Sequence, residues 1–171
     1  TDATQKQSVQ NFTLPVRQAV VLPFSPLQDA TQGEPYSATL QASGGLAPFT
    51  YRVQDGTLPA GLSLSAAGQI AGTPTAAGEF RFTIQASDAN LKPASNTYVL
   101  TVIPALAITT TTLPAATALV SYSAVITAAG GISPYVWEVI SGALPQGLNF
   151  ANGALTGVPA RAGTFQFDVR V

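Results

Sequence analysis

Apolar and polar residues alternate in short segments along most of this chain, and glycine and proline separate the segments. In one such segment the residues at every second position are Tyr36, Ala38, Leu40 and Ala42. Side chains two positions apart lie on the same face of a β-strand, so this spacing predicts strands with one buried face. The whole pattern therefore predicts an all-β protein built from short strands and tight turns.

The alternating rows occur twice, at an offset of 86 positions that becomes 85 after a one-residue deletion. The matching rows are Tyr36, Ala38, Leu40 and Ala42 with Tyr122, Ala124, Ile126 and Ala128, and Phe80, Phe82, Ile84 and Ala86 with Phe165, Phe167, Val169 and Val171. Short strands with turn signals at this spacing are typical of immunoglobulin-type sandwiches. The repeat thus predicts two tandem immunoglobulin-like β-sandwiches.

The last strand of the first unit is predicted around Tyr98, Leu100 and Val102. The same offset places the start of the chain on this strand, while the second unit stops before reaching it. We therefore expect three parts: an N-terminal donor strand in residues 1–17, a complete immunoglobulin-like domain in residues 18–103, and a second domain in residues 104–171 that lacks its final strand.

A sandwich that lacks one strand exposes an apolar groove and unpaired backbone groups. The residues expected to fill the groove are Phe12, Leu14 and Val16. The residues expected to line it, as the acceptor groove, are Trp137, Phe165, Phe167 and Val169. Residues 17–21 are too short a tether for the donor to reach the groove of its own chain, since five residues span under about 20 Å. We therefore expect the donor strand to complete the second domain of a neighbouring copy.

Several motifs carry a family resemblance. Leu58-Pro59-Ala60-Gly61-Leu62 is followed by Gly72-Thr73-Pro74, and the second unit repeats them as Leu144-Pro145-Gln146-Gly147-Leu148 and Gly157-Val158-Pro159. With these motifs the chain resembles the immunoglobulin-like repeats of bacterial and archaeal surface proteins, which are related to cadherin-like and dystroglycan-type modules. The resemblance implies an extracellular or cell-surface protein. It does not select among stalks, spacers, adhesin modules and appendages of enzymes.

Composition argues against several functions. The net charge is -1 and only 9% of residues are charged, so nothing favours nucleic acid binding, and no apolar run is long enough to span a membrane. The chain has no His and no Cys, which removes the usual pairs of nucleophile and base, and we expect no enzymatic activity. Calcium sites need several clustered carboxylates. The junction at 103–108 has no acidic residue, so we expect no cofactor, with calcium as the alternative.

Three further positions are candidates for local roles. Asp2 and Asp88 occupy one repeat position, and an aspartate there is expected to cap a turn. Asn11 begins an Asn-Phe-Thr sequon and is a candidate glycosylation site, since alternation with Phe12 turns it towards solvent. The four threonines at 109–112 are expected to form a β-prone edge segment rather than an O-glycosylated one.

These features favour a structural subunit of an extracellular filament, in which copies of the chain join head-to-tail by donor-strand complementation. The alternative is a two-repeat segment of a long surface adhesin or stalk, in which neighbouring repeats supply the strand through the peptide chain. A carbohydrate-binding appendage is a third possibility, but it needs exposed aromatic residues, and most aromatics here lie on inward rows. A host surface or a glycan remains open as an additional partner.

Overall fold

The first unit is a sandwich of two sheets in a computed structural model that describes residues 9–171. Its strands are β1 Ala30–Thr31, β2 Tyr36–Thr39, β3 Thr50–Gly56, β4 Leu62–Leu64, β5 Gln69–Gly72, β6 Gly78–Ser87 and β7 Pro93–Ile103. One sheet has the order β1-β7-β6-β3 and the other the order β2-β5-β4. Strand β7 pairs with β6 along ten residues and with β1 in parallel, so it is the central strand of the larger sheet.

The second unit, residues 104–171, repeats this arrangement with shorter strands in place of β3 and β6 and with no counterpart of β1 or β7. Its strands are β8 Ala107–Ile108, β9 Tyr122–Val125, β10 Ala128–Ala129, β11 Glu138–Gly142, β12 Leu148–Ala151, β13 Ala154–Gly157 and β14 Phe167–Arg170. The sheet β12-β13-β9 matches β4-β5-β2, and the pair β10-β8 matches an isolated bridge between Val21 and Ser43. The pair β11-β14 matches β3-β6 and keeps its bulge at the same repeat position. The chain is therefore an all-β protein with two tandem immunoglobulin-like domains, as predicted.

Between residues 104 and 171 nothing occupies the place of β7, and this absence also shortens β14. In the first unit Gly78–Arg81 of β6 pair with β7 alone, because the register with β3 begins at Phe82. The corresponding residues 163–166 pair with no strand and adopt no regular structure, although the carbonyl of Gln166 accepts a hydrogen bond from the N–H of Ala143 at 3.4 Å. Backbone groups without a partner in the sheet remain solvated, which explains why β14 has four residues and β6 has ten.

The continuous buried core lies in the first unit. Its buried apolar residues are Leu22, Ala30, Leu40, Ile70, Phe82, Ile84, Ala86, Tyr98, Leu100 and Val102. The predicted inward row of β6 is confirmed at Phe82, Ile84 and Ala86. In residues 104–171 the buried apolar residues are Ala124, Ile126 and Leu155. The same repeat thus buries a core in one unit and only part of one in the other.

Two predicted β-segments are not strands in this structure. Residues 9–17 have no regular secondary structure and are exposed, since they lie beside no partner strand; residues 1–8 of the predicted donor lie outside the described part. Residues 109–112 also form no strand, so the prediction of a β-edge segment there is wrong. Thr109 makes one backbone hydrogen bond to the carbonyl of Thr127 at 2.8 Å, and the side chains of Thr109 and Thr110 add hydrogen bonds with Thr127, after which the pairing ends. Within residues 9–171 no helix could cross a bilayer.

Candidate functional site: an open groove and an exposed segment

An open groove of about 320 Å³ runs along the unpaired edge of β14 in the second unit. Its lining residues are Ile108, Thr110, Thr111, Thr112, Leu113, Ile126, Phe165, Gln166, Phe167 and Val169. Three of the four predicted groove residues are among them: Phe165, Phe167 and Val169. All three side chains are only half-buried, whereas Phe82 and Ile84 at the positions of Phe167 and Val169 are 1% and 0% exposed.

Trp137 does not line this groove, which differs from the sequence prediction. It precedes β11, and β14 lies between β11 and the open edge. The indole packs edge-to-face on Phe150, with ring centroids 6.1 Å apart, and lies against Gly153. Tyr51 has the same relation to Gly68 in the first unit. Alternation along the strand predicted that the indole faces inward, but it did not show which part of the core it reaches.

The groove also has apolar walls that the sequence analysis did not assign to it. Ile108 and Ile126 stand at the repeat positions of Leu22 and Leu40, which are buried core residues in the first unit. Both of those core residues belong to the same cluster as Tyr98 of β7. The alternating row of the second unit already predicted that Ile126 faces inward, and applying the offset of 86 to Leu22 would have identified Ile108.

In the first unit β7 shows how such a groove is filled. Tyr98, Leu100 and Val102 are each 1% exposed or less. The Tyr98 ring stacks between Phe24 and Phe82, with centroid distances of 6.2 and 6.4 Å. Its hydroxyl donates to the carbonyl of Pro23 at 3.3 Å. Burial, together with the neighbouring Tyr51, raises the pKa of the Tyr98 phenol.

The predicted donor residues are among the most exposed apolar side chains of residues 9–171. Phe12 is 84% exposed, Leu14 83% and Val16 87%. They do not lie in the groove of their own chain, which agrees with the expectation that the tether is too short. Asn11 is exposed as well, as the sequence predicted, and nothing in the structure tests whether it carries a glycan.

The hairpin that leads into β7 is capped by Asp88, as predicted. This carboxylate is buried and accepts hydrogen bonds from the backbone N–H groups of Lys92, Asn90 and Leu46, at 2.8, 2.9 and 3.0 Å. The bond from Lys92 is the main cause that holds the pKa of Asp88 below its usual value, while burial acts in the opposite direction. Asp2, its repeat counterpart, lies outside the described residues.

The described part of the chain contains no candidate metal site. Residues 9–171 contain no group of three or more acidic side chains that could hold a metal ion. The salt bridge found there joins Arg170 to Glu138 on the exposed face of β11 and β14. The expectations that the protein is not an enzyme and needs no cofactor therefore stay predictions.

Comparisons with known structures concern the fold. The chain is similar to extracellular domains 3–5 of Drosophila OTK, with 15% identity and a TM-score of 0.50 over 78% of this chain and 50% of that one. It also resembles domains 3–6 of protocadherin gammaB7 (16% identity, TM-score 0.49, 88% of this chain and 46% of that one). A Bacteroides fragilis protein described as a "putative alpha-galactosidase" matches with 22% identity and a TM-score of 0.44, over 53% of this chain and 19% of that one.

The chain thus spans half or less of the length of each of these solved structures. No curated protein sequence matches it. The family described as "Putative Ig domain" matches residues 18–103 and again residues 104–171, which together make up most of the chain. The protein therefore belongs to this family of immunoglobulin-like domains and carries two copies of the domain.

Proposed function

We propose that this protein is a structural subunit of an extracellular filament, in which residues 9–17 of one copy complete the second domain of the next. One observation carries the proposal. The groove beside β14 is lined by the repeat counterparts of residues that surround β7, and an exposed segment with the inward row of β7 is present in the same chain. Strand addition to an open sheet edge combines backbone hydrogen bonds with side-chain pockets.

The repeat gives the register of this joint. In the first unit Phe82 pairs with Tyr98, and Phe80 pairs with Leu100. At the corresponding positions Phe12 lies opposite Phe167, and Leu14 lies opposite Phe165. The donor then continues to Val16. This residue takes the position that Val102 has in the first unit, where Val102 lies beside the parallel strand β1. The counterpart of β1, residues 116–117, has no regular structure here, and Ala116 lines a cavity together with Phe165, so we expect it to become the second neighbour of the added strand.

Pro15 is compatible with this register, although proline has no N–H to donate. It takes the position of Thr101 in β7. The carbonyl of Ile103 accepts a hydrogen bond from Gln32, which follows β1, so the odd-numbered backbone groups of β7 point away from β6. The missing N–H of Pro15 therefore falls on the side away from β14. A proline at such a position leaves the ladder with β14 intact.

Burial of the three donor side chains is the main stabilising contribution. Each large apolar side chain that leaves water contributes about 1.5–3 kcal/mol. The counterparts of the three donor residues are almost fully buried in β7, so Phe12, Leu14 and Val16 have nearly all of their exposed surface to lose. One contact of β7 is not reproduced, because Thr110 replaces Phe24 as a neighbour of the aromatic ring. Phe167 remains on its other side.

The proposal makes copies of the chain the principal partner, in a head-to-tail contact that propagates. An extracellular location is supported by the resemblance to surface repeats and by the similarity to extracellular domains of Drosophila OTK. The sparse charge suits a protein that packs against its own copies. The proposed role needs no catalysis, no calcium and no nucleic acid.

A long covalent array is the second candidate function. It is favoured by one observation: the two family domains already follow each other directly in one chain. In such an array the segment that fills the groove would belong to the following repeat of the same polypeptide. The local contacts are the same, so the mass of the native material after denaturation distinguishes the two. Separate subunits give about 17.5 kDa, and an array gives a far larger mass.

The role of the donor segment is tested by charge substitution in the full chain. We expect Phe12→Asp with Leu14→Asp to abolish assembly, as measured by sedimentation velocity and electron microscopy. The matched control is Leu91→Asp with Val136→Asp, which removes two equally exposed apolar side chains outside the donor segment. This control should assemble like the parent. Unchanged fibres from the Phe12/Leu14 variant would refute the proposal.

A further inference from the structure

We propose that Asn11 sets the register of the joint by donating a side-chain hydrogen bond to the carboxylate of Asp168 in the neighbouring copy. The inference rests on the proposed strand addition and adds a specificity-determining pair to it. The apolar row alone does not determine a single register. It excludes a slip by one residue, which would turn Phe12, Leu14 and Val16 outwards, but a slip by two keeps the apolar row inward.

The first unit provides the template for this pair. Thr83 of β6 lies opposite Thr97 of β7, and their hydroxyl oxygens are 2.9 Å apart. Thr97 is an odd-numbered residue of β7, and its backbone groups therefore point away from β6, as the bond between Gln32 and Ile103 indicates. Opposed residues of this kind form a non-hydrogen-bonded pair, in which side chains come closest together. This position of the sheet thus favours a direct contact between two polar side chains.

The second unit holds an acceptor at the same place. Asp168 occupies the position of Thr83 in β14 and lies on the exposed face. Its carboxylate accepts a hydrogen bond from the hydroxyl of Ser141 in the adjacent strand β11. An ionised carboxylate has room for further donors, and within residues 9–171 no cation forms a salt bridge with this one. Asp168 therefore retains acceptor capacity towards the open edge.

Asn11 supplies the matching donor. It takes the position of Thr97 when Phe12 takes that of Tyr98, and its amide nitrogen carries two hydrogens. The joint then has a polar row of Ser141, Asp168 and Asn11 across three strands. A charge-assisted bond at a close cross-strand pair is stronger than a neutral one.

Slipped registers lose this match. A slip by two residues in one direction places Val9 opposite Asp168, and valine has no donor. A slip in the other direction places Thr13 there, whose hydroxyl can also donate, but it moves Asn11 opposite Arg170, which is already paired with Glu138, so the amide loses its acceptor. The side-chain amide of Asn11 lies opposite the carboxylate of Asp168 only when the added strand has the register that β7 has in the first unit.

Peptide binding to a full-length acceptor tests the pair. The acceptor carries Phe12→Asp and Leu14→Asp, so that its own segment cannot occupy a groove. The probe is a fluorescent peptide of residues 9–17, and its dissociation constant is measured by anisotropy. We expect Asn11→Asp in the peptide to weaken binding by about fivefold, since like charges directly opposite are destabilising. Adding Asp168→Asn to the acceptor should restore binding to within about twofold, because the pair is then swapped.

The control peptides carry Thr13→Asp or Val9→Asp, the neighbouring outward positions. Asp168→Asn should rescue them less than it rescues the Asn11→Asp peptide. Greater rescue at position 13 or 9 would show a different register and overturn the inference. If the Asn11→Asp peptide loses the same affinity with and without Asp168→Asn in the acceptor, the two residues do not pair, but strand addition itself is not contradicted. Failure of the parent peptide to bind would instead contradict the proposed function itself.

Discussion

Residues 18–103 and residues 104–171 have the same repeat pattern but differ in how much of it they bury. The first unit has a four-stranded sheet around β7 and a continuous buried core. The second has only two strands of that sheet, and Phe167 and Val169, which match the buried Phe82 and Ile84 beside β7, are only half-buried. The comparison shows that a single central strand, by pairing on both edges and inserting three apolar side chains, accounts for most of this difference.

The largest expected effect comes from supplying the strand to the second unit. We expect a variant with a second copy of residues 1–17 appended after Val171 to fold into two complete sandwiches. Burial of three apolar side chains should raise the free energy of unfolding of the second unit by about 5 kcal/mol. Denaturant unfolding measures this change, and sedimentation velocity should show that the groove no longer recruits other copies.

The control for that variant carries aspartate at the two appended positions that copy Phe12 and Leu14. It adds the same length of chain without the apolar row. Equal stabilisation by the control and the test variant would mean that the appended segment acts without entering the groove.

A matched pair of substitutions sharpens the comparison. Tyr98→Ala should lower the free energy of unfolding of the first unit by about 3–5 kcal/mol, since it removes a buried aromatic ring from the core. Phe12→Ala should change the unfolding of the dilute monomer by less than about 0.5 kcal/mol, because this ring is exposed. At concentrations where copies assemble, Phe12→Ala should destabilise as well. If Tyr98→Ala and Phe12→Ala lower the free energy of unfolding by similar amounts in dilute solution, residues 9–17 are not exposed in the monomer.

The smallest effect concerns the cap before β7 and its dependence on pH. The folded pKa of Asp88 is below its unfolded value, so its contribution is present above about pH 4 and is lost as pH falls through the folded pKa. Asp88→Asn should therefore lower the melting temperature of the first unit at pH 7 and flatten its dependence on pH below 4. An unchanged acid profile would mean that other carboxylates dominate the acid response.

Periodicity and the internal repeat predicted much of the fold. Alternation and the offset of 86 located β2, β6, β7 and β9 and the inward row of β6, because a period of two determines which face a side chain takes; in the second unit, however, β14 begins only at Phe167. It also predicted the turn-capping role of Asp88. Alternation did not reveal how far along the core each side chain lies. Trp137 is therefore misplaced by the sequence analysis, since it packs on Phe150 and Gly153 instead of the groove.

The threonine run at 109–112 shows a second limit. β-propensity favours a strand there, but a strand needs a partner with free backbone groups at the right place. In the structure, the side chains of Thr109 and Thr110 form hydrogen bonds with the side chain of Thr127. The open groove exists because residues 104–171 contain no counterpart of β7. The internal repeat predicted this, whereas no local motif did.

Cysteine cross-linking tests the central claim most directly, because the chain contains no cysteine. Thr13 and Gln166 stand at the positions of Val99 and Arg81, which pair across β7 and β6 with outward side chains. At such a pair the Cα atoms fall within the range that a disulfide spans. The control is Thr13→Cys with Thr164→Cys, which is shifted by two residues.

After oxidation of the Thr13→Cys, Gln166→Cys variant, we expect a ladder of disulfide-linked species at multiples of 17.5 kDa on a non-reducing gel. The shifted control should give little of this ladder. A monomer whose two new thiols have both been consumed would show that the segment fills the groove of its own chain. Monomers with free thiols, under conditions where the parent protein assembles, would show that the segment does not enter the groove at all.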